Sequence, residues 1–424
     1  MSVNITKLKN GLTVVTDSMP HLETLSVGAW VNTGARHETL SQNGVSHMLE
    51  HMAFKGTERR SARAIAEEIE TVGGHLNAHT THETTAYYAR VLKNDMPLAV
   101  DLISDILQHS VFDGQELERE RNVIIQEIGQ AQDTPDDLVF DHLLEAAYPG
   151  QALGRPILGT VDNVRSFGRG ELQFYMNDRY HADSMILSAA GGVGHEELVE
   201  RAEEAFGNVQ SHRSNDALDR AQFVGGDRRE ERELEQAHVT LAFEAPCYGD
   251  PDYYAAQVLA GALGGGMSSR LFQEIREKRG LCYSVFSFAW SFEDTGVFGI
   301  YAGTAPEDLH ELVPVMANEF QRVAEDMSEE ETARARAQMK AGLLMSLESS
   351  SSRAEQIARQ YMIYGRVPTP EEIVAKLDQV DAAALRRVAK RIMTSGAPAF
   401  AAVGPLSEGG GLESYDRLAA RFAH

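Results

Sequence analysis

The chain has 424 residues, 43% of them apolar and only two of them cysteine, with 63 acidic against 39 basic residues and a formal net charge of −24. That length predicts two or more globular domains, the two cysteines exclude a disulfide framework and fit a reducing compartment, and the negative charge argues against nucleic acid while accommodating a cationic or neutral substrate. No apolar run approaches the roughly 20 residues that span a bilayer, and the opening MSVNITKLKNGLTVV has the pattern of neither a signal nor a transit peptide, so a soluble, cytoplasmic protein is expected.

In chain order, apolar residues alternate over 25–31, which predicts a strand, and recur at helical spacing over 44–54 and 62–72, which predicts two helices. Gly73 and Gly74 stop the second helix. The stretch LNAHTTHETTAYYARVL, rich in threonine and tyrosine, reads as a hairpin with strands at 76–81 and 84–92 and a turn near His82 and Glu83. Helices follow at 98–108 and 115–132, then a helix around 171–178 and a strand at 185–190 running into Gly191 and Gly192.

The second half repeats this order. Residues 238–243 answer the first strand, LFQEIREKRGLCYSVFS answers IAEEIETVGGHLNAHTT and sets Tyr283 opposite Asn77, TGVFGIYAG answers TTAYYARVL, and IMTSGAPAFAAVG answers DSMILSAAGGVG. The expected fold is therefore α+β, with two duplicated domains, each a mostly antiparallel sheet with helices packed on one face. The first domain is expected over 1–210 and the second over 237–424. A charged linker is expected over 211–236, where GGDRREERELEQ has no strong apolar period.

In GVSHMLEHMAF, His47 and His51 are four residues apart, so a helix brings both imidazoles to one face, where they can share a metal ion. Glu50 lies beside them, placed to bond a water without being a ligand. This order, H-x-x-E-H, is an inverted zinc-peptidase motif. A catalytic zinc needs a third protein ligand and an open fourth position. The helix 115–132 offers Glu120 and Glu127 on a stripe that is otherwise Leu117, Ile124, Ile128 and Ala131. Acidic residues on a core-facing stripe need buried partners; on a solvent-facing stripe they are ordinary helix surface.

With these residues, the chain resembles the pitrilysin and mitochondrial-processing-peptidase family of zinc peptidases, in which a glutamate ligand follows the second histidine by 76 residues, the interval from His51 to Glu127 here. The flanks GVSHMLEHMAFKGT, ERERNVIIQEIGQ and LGRPILGTVDNVRSF resemble the beta subunit of the processing peptidase, and the resemblance covers essentially the whole chain. It implies one zinc per chain held by His47, His51 and Glu127, an orienting role for Glu120, and substrate-holding roles for Arg276 and Tyr283 in REKRGLCY. The residues alone would read Arg276 as a solvated helix residue and Tyr283 as a strand residue. The resemblance further implies paired subunits, and a chain carrying both the motif and the arginine–tyrosine pair suggests a homodimer.

The expected activity is that of a zinc-dependent endopeptidase with Glu50 as general base, acting on unfolded segments, presequence-like or short peptides. An extended peptide, basic or neutral, would add as a strand along 76–81, with Asn77 and Ala78 as backbone contacts. A noncatalytic scaffold subunit and a metal hydrolase of small nonpeptide substrates are the alternatives. His75, His79 and His82 are close in sequence, but alternation and the turn scatter their directions, which disfavours a second metal site. GALGGGMSSRL lacks the lysine of a phosphate loop and reads as a flexible loop around Gly264 to Gly266, with at most a role in peptide entry.

Overall fold

The computed structural model describes residues 3–211, 218–407 and 411–422. Every element expected between residues 24 and 132 is present, with ends within two residues of the expectation. One sheet is built from β1 (Val3–Lys7), β2 (Thr13–Ser18), β3 (Thr24–Val31), β4 (His75–Thr80), β5 (Thr85–Leu92) and β6 (Met185–Gly191), in the order β1-β2-β6-β3-β5-β4. The other contains β7 (Gly226–Glu231), β8 (Ala237–Glu244), β9 (Cys282–Ser291), β10 (Gly296–Thr304) and β11 (Ala399–Gly404), in the order β7-β11-β8-β10-β9.

Apart from β1, the two orders match strand for strand. The one parallel pair falls at the same place in each, β2 with β6 and β7 with β11, and the remaining pairs are antiparallel. The duplicated α+β fold with mostly antiparallel sheets, expected from the faint sequence repeat, is thus the fold of the chain, but helices pack on both faces of each sheet and not on one, because alternate residues of the central strands are buried on either side.

The stretch expected to be a linker contains β7, the counterpart of β2. Its sequence GDRREE has no apolar alternation because β7 is an edge strand whose residues stay half-buried or exposed. Residues 212–217 of that stretch lie outside the described residues.

Two compact units divide the chain: Met1–Gly129 with Pro156–Leu218 and Met345–Val367, and Gln130–Arg155 with Asp219–Leu344 and Pro368–His424. Each takes one helix from the opposite half of the sequence. In the first unit, α1 (Val45–Ala53), α2 (Ala62–Thr71), α3 (Met96–Gln108) and most of α4 (Gly114–Gln132) share one hydrophobic core with β3 and β5. Across the same sheet a second, smaller core joins Val15, Trp30 and Ile186 to Ala354, Ile357 and Ala358 of the helix Ser350–Tyr364. Arg353 of that helix donates to Asp17 of β2 at 2.6 Å, both side chains being buried, and the pairing compensates charges that would be costly to bury singly. In the second unit α5 (Pro135–Ala147) covers β7, β8 and β11 through Val139, Leu143 and Ala147.

Candidate active site

The helix α1 buries Val45, Met48, Leu49 and Met52, all at most 2% exposed, and each such burial contributes roughly 1.5–3 kcal/mol. Its first turn leaves backbone N–H groups without helical partners. The carboxylate of Glu38 accepts two hydrogen bonds there, from Gly44 N and Ser46 N, both at 2.8 Å. Burial pushes the Glu38 carboxyl up, against the pull of these bonds. With its apolar face and its start both fixed, α1 presents His47, Glu50 and His51 on the opposite side.

The two imidazole rings lie edge to face with centroids 4.6 Å apart. Glu127 of α4 reaches toward both: its Oε2 is 3.7 Å from His47 Nε2 and 3.4 Å from His51 Nε2. One donor atom from each of the three residues lies within 4.8 Å of the others, the sole such group among the described residues. Donors at about 2.0–2.2 Å around one tetrahedral zinc lie roughly 3.3–3.5 Å from one another, so the observed spacings fit a zinc ion with little movement. His47 is pushed down to about 4 by burial and then by the charge of His51, which keeps it neutral near pH 7, as a metal ligand must be.

Nearly two turns earlier on α4, Glu120 is buried. Its Oε2 lies 3.0 Å from His51 Nδ1 and its Oε1 2.7 Å from Lys55 Nζ. A carboxylate there fixes the tautomer with the proton on Nδ1 and leaves Nε2 free to ligate. Burial pushes the Glu120 carboxyl up, but the hydrogen bonds from Lys55 and His51 outweigh it and hold it below the usual range. Among the described residues, Nδ1 of His47 is buried without a hydrogen-bond partner.

Glu50 stands outside the donor group. Thr80 Oγ1 of β4 donates to Glu50 Oε2 at 2.6 Å, and no described residue bonds Oε1. β4 is an edge strand of its sheet, at the end opposite β1. On it Asn77 is exposed, Ala78 is buried, and Ala78 N donates to Asn77 Oδ1 at 2.9 Å.

Arg276 and Tyr283 belong to the second unit and touch each other: the guanidinium sits 4.5 Å from the Tyr283 ring centroid and 4.7 Å from that of Phe272. Arg276 lies on a π-helical turn, Phe272–Glu277, and Tyr283, 73% exposed, on β9. Both face an open cavity of about 390 Å³ bounded also by Asp136, Asp137, Phe140 and Tyr301.

His75, His79 and His82 join no group of candidate metal donors among the described residues; the His79 ring packs on Tyr88. The glycine run read as a flexible loop begins inside regular structure. Gly264 ends the helix Tyr253–Gly264, and a Cβ on it would come within 2.4 Å of Ser287 N, so its glycine serves close helix–strand packing. Glu38, Lys55, Phe272 and Thr80 also belong to these sites, although no motif in the sequence marks them. Only Phe272, four residues before Arg276 on a helical segment, left a signal in spacing alone.

The family model described as Insulinase (Peptidase family M16) matches residues 13–161, and the one described as Peptidase M16 inactive domain matches residues 166–339. The chain is 42% identical over 404 residues to a zinc protease of Rickettsia bellii, covering 95% of this chain and 97% of that protein. It is 40% identical over 431 residues to the mitochondrial-processing peptidase subunit beta of Lentinula edodes, covering 98% of this chain and 92% of that one. In fold it is similar to a protease from Helicobacter pylori, with a TM-score of 0.89, 21% identity, and coverage of 95% of this chain and 99% of that one.

Proposed function

The chain belongs to the insulinase family of peptidases, M16, and is a zinc metalloprotease; from that premise we propose that it cleaves internal bonds of extended peptides, with His47, His51 and Glu127 as zinc ligands and Glu50 as general base. The observation that carries this reading is the convergence of those three donors, with Glu50 beside the two histidines on α1, one of its oxygens held by Thr80 and the other open. Bound there, zinc supplies Lewis acidity, polarising the scissile carbonyl and lowering the pKa of the attacking water. Glu50 takes that water's proton at Oε1 and returns it to the departing amine. Glu120, paired to Lys55, holds the imidazole of His51 in its ligating tautomer.

An extended peptide aligns along the edge of β4 at Asn77 and Ala78, whose backbone pairs with any sequence. Arg276 and Tyr283 hold the peptide backbone, Tyr283 donating to the carbonyl oxygen as charge develops. A basic side chain suits the cavity beside them, which offers the exposed carboxylates of Asp136 and Asp137 and the ring of Phe140. No ion pair among the described residues engages either carboxylate. A homodimer completes the proposal, because one chain carries both the metal donors and the arginine–tyrosine pair. The free thiols of Cys247 and Cys282 are consistent with a cytoplasmic location.

A series of quenched peptides of increasing length tests this reading. Cleavage should demand a segment of roughly five or more residues, the length of a typical paired strand, and should favour basic over acidic members. Equal hydrolysis of dipeptides or small esters would contradict it. Arg276→Ala and Tyr283→Phe should keep zinc and lower kcat/KM by roughly ten- to a thousandfold, the range for one lost positioning or oxyanion contact. Wild-type kcat/KM in both would remove the pair from the mechanism.

The same wall of the cavity predicts a pH effect on stability. Asp141, one turn after Asp137 on α5, is raised to about 6 by burial and then by the charge of Asp137. A raised carboxyl favours the protonated folded state, so its contribution is present below about pH 4 and lost as pH rises through 6. Discounted for partial exposure, Asp141→Asn should stabilise the protein by about 1–2 kcal/mol at pH 8 and hardly at all at pH 4. Denaturant titrations at the two pH values check this; equal effects at both would exclude a charge origin.

A further inference from the structure

We propose that Thr80 is a positioning residue for the reaction, its hydroxyl fixing the carboxylate of Glu50 so that Oε1 alone faces the attacking water. The inference rests on Glu50 being the general base. Its ground is the 2.6 Å hydrogen bond from Thr80 Oγ1 to Glu50 Oε2, which joins two elements 30 residues apart in sequence. A hydroxyl has one proton to donate. Given to Oε2, it leaves a carboxylate with one occupied oxygen and one open oxygen, and so with a defined orientation about its terminal torsion, which is otherwise broad.

The surroundings of Thr80 fix the hydroxyl itself. Thr80 is the last residue of β4 and lies opposite Thr85 in β5. By strand alternation it shares a face with Ala78, which is buried in the core that α1 also joins. The chain then turns tightly: Thr81 N donates to Thr84 O at 2.8 Å, while Thr81 Oγ1 accepts from Glu83 N and Thr84 N. That turn is tied to the segment after β3, where Ala35 N donates to Thr81 O at 3.1 Å, Arg36 N donates to His82 O at 2.7 Å, and Arg36 pairs with Glu83 at 2.6 Å. A Cβ on Gly34 would come within 2.3 Å of Thr81 O, so only glycine permits this approach. Threonine at position 80 therefore starts from a backbone held on both sides. Its hydroxyl can orient Glu50 without itself being ordered at the moment of reaction, the condition under which a positioning contact affects rate.

β4 is also the strand along which the substrate is proposed to lie, so Thr80 links the peptide's docking edge to the base. A peptide that paired with β4 in a shifted position would meet the same fixed Glu50. The bond thus bears on kcat and not on peptide affinity.

Thr80→Val keeps the β-branched shape and strand preference while removing the donor. Zinc content, affinity for a peptide with a reduced scissile bond, kcat and KM are measured for wild type, Thr80→Val and Thr80→Ser. Expected in Thr80→Val are unchanged zinc, peptide affinity and KM within about twofold, and kcat lower by roughly ten- to a hundredfold, the cost of a small misplacement of a catalytic group. Thr80→Ser, which retains the hydroxyl, should recover kcat to within about fivefold of wild type. Full kcat in Thr80→Val overturns the inference, as do equal losses in the valine and serine variants, which would assign the effect to packing. Loss of zinc or of peptide affinity with unchanged kcat overturns it too. If the valine variant does not fold, Thr80→Ala against Thr80→Ser, which differ by one hydroxyl, gives the same reading. Glu50→Gln run alongside separates the two levels. An active Glu50→Gln removes the base assignment itself, whereas an inactive Glu50→Gln with a fully active Thr80→Val removes only the role of Thr80.

Discussion

Glu50→Gln is expected to retain about one zinc per chain and to lose roughly 10²–10⁴-fold in kcat, the usual contribution of a positioned general base. The substitution preserves shape, and the amide oxygen of glutamine can accept the hydrogen bond that Thr80 now gives to Glu50 Oε2. His47, His51 and Glu127 are untouched, since Glu50 is not among the converging donors. What disappears is the acceptor for the water's proton. The variant should therefore bind uncut peptide with wild-type affinity, measurable by fluorescence anisotropy of a labelled substrate. Turnover near the wild-type rate would remove Glu50 from the mechanism. Loss of zinc would instead make it a ligand.

The second large effect separates the two carboxylates of α4. His51→Ala and Glu127→Gln should each leave less than about a tenth of the zinc and no measurable cleavage, because a site with three protein ligands does not survive the loss of one. Glu120→Gln should keep zinc while weakening its affinity roughly ten- to a hundredfold, the typical cost of losing a partner behind a ligating histidine. The reason is geometric: Glu120 Oε2 meets His51 at Nδ1, whereas Glu127 Oε2 approaches Nε2 of both histidines. Competition with a chromogenic chelator gives the affinities. The opposite ranking, with Glu120→Gln empty and Glu127→Gln full, would exchange their roles.

What the sequence made legible follows the range of each interaction. His47, Glu50 and His51 lie within one turn and a half of helix, and Glu120 and Glu127 lie two turns apart on another, so their shared faces follow from helical geometry alone. The duplication was legible through the repeated order of elements along the chain, and the matching positions of the parallel pairs bear it out. The edge strand β7 escaped because GDRREE has no buried face to impose alternation. The exchange of α5 and the helix Ser350–Tyr364 between the compact units escaped because an amphipathic pattern shows that a face is buried, not which sheet buries it. Thr80 and Lys55 escaped for a related reason. Each acts through a single hydrogen bond or ion pair between elements distant in sequence, and such a contact imposes no periodicity on either side.

Stoichiometric reconstitution tests the central claim most directly. The protein is stripped with chelator, and cleavage of a basic quenched peptide is followed while zinc is returned in measured increments. Activity should rise in proportion to added zinc and level off at about one equivalent per chain, as a single site built from two histidines and one glutamate requires. Cleavage that persists in the stripped protein, or that levels off only at two or more equivalents, would contradict the account.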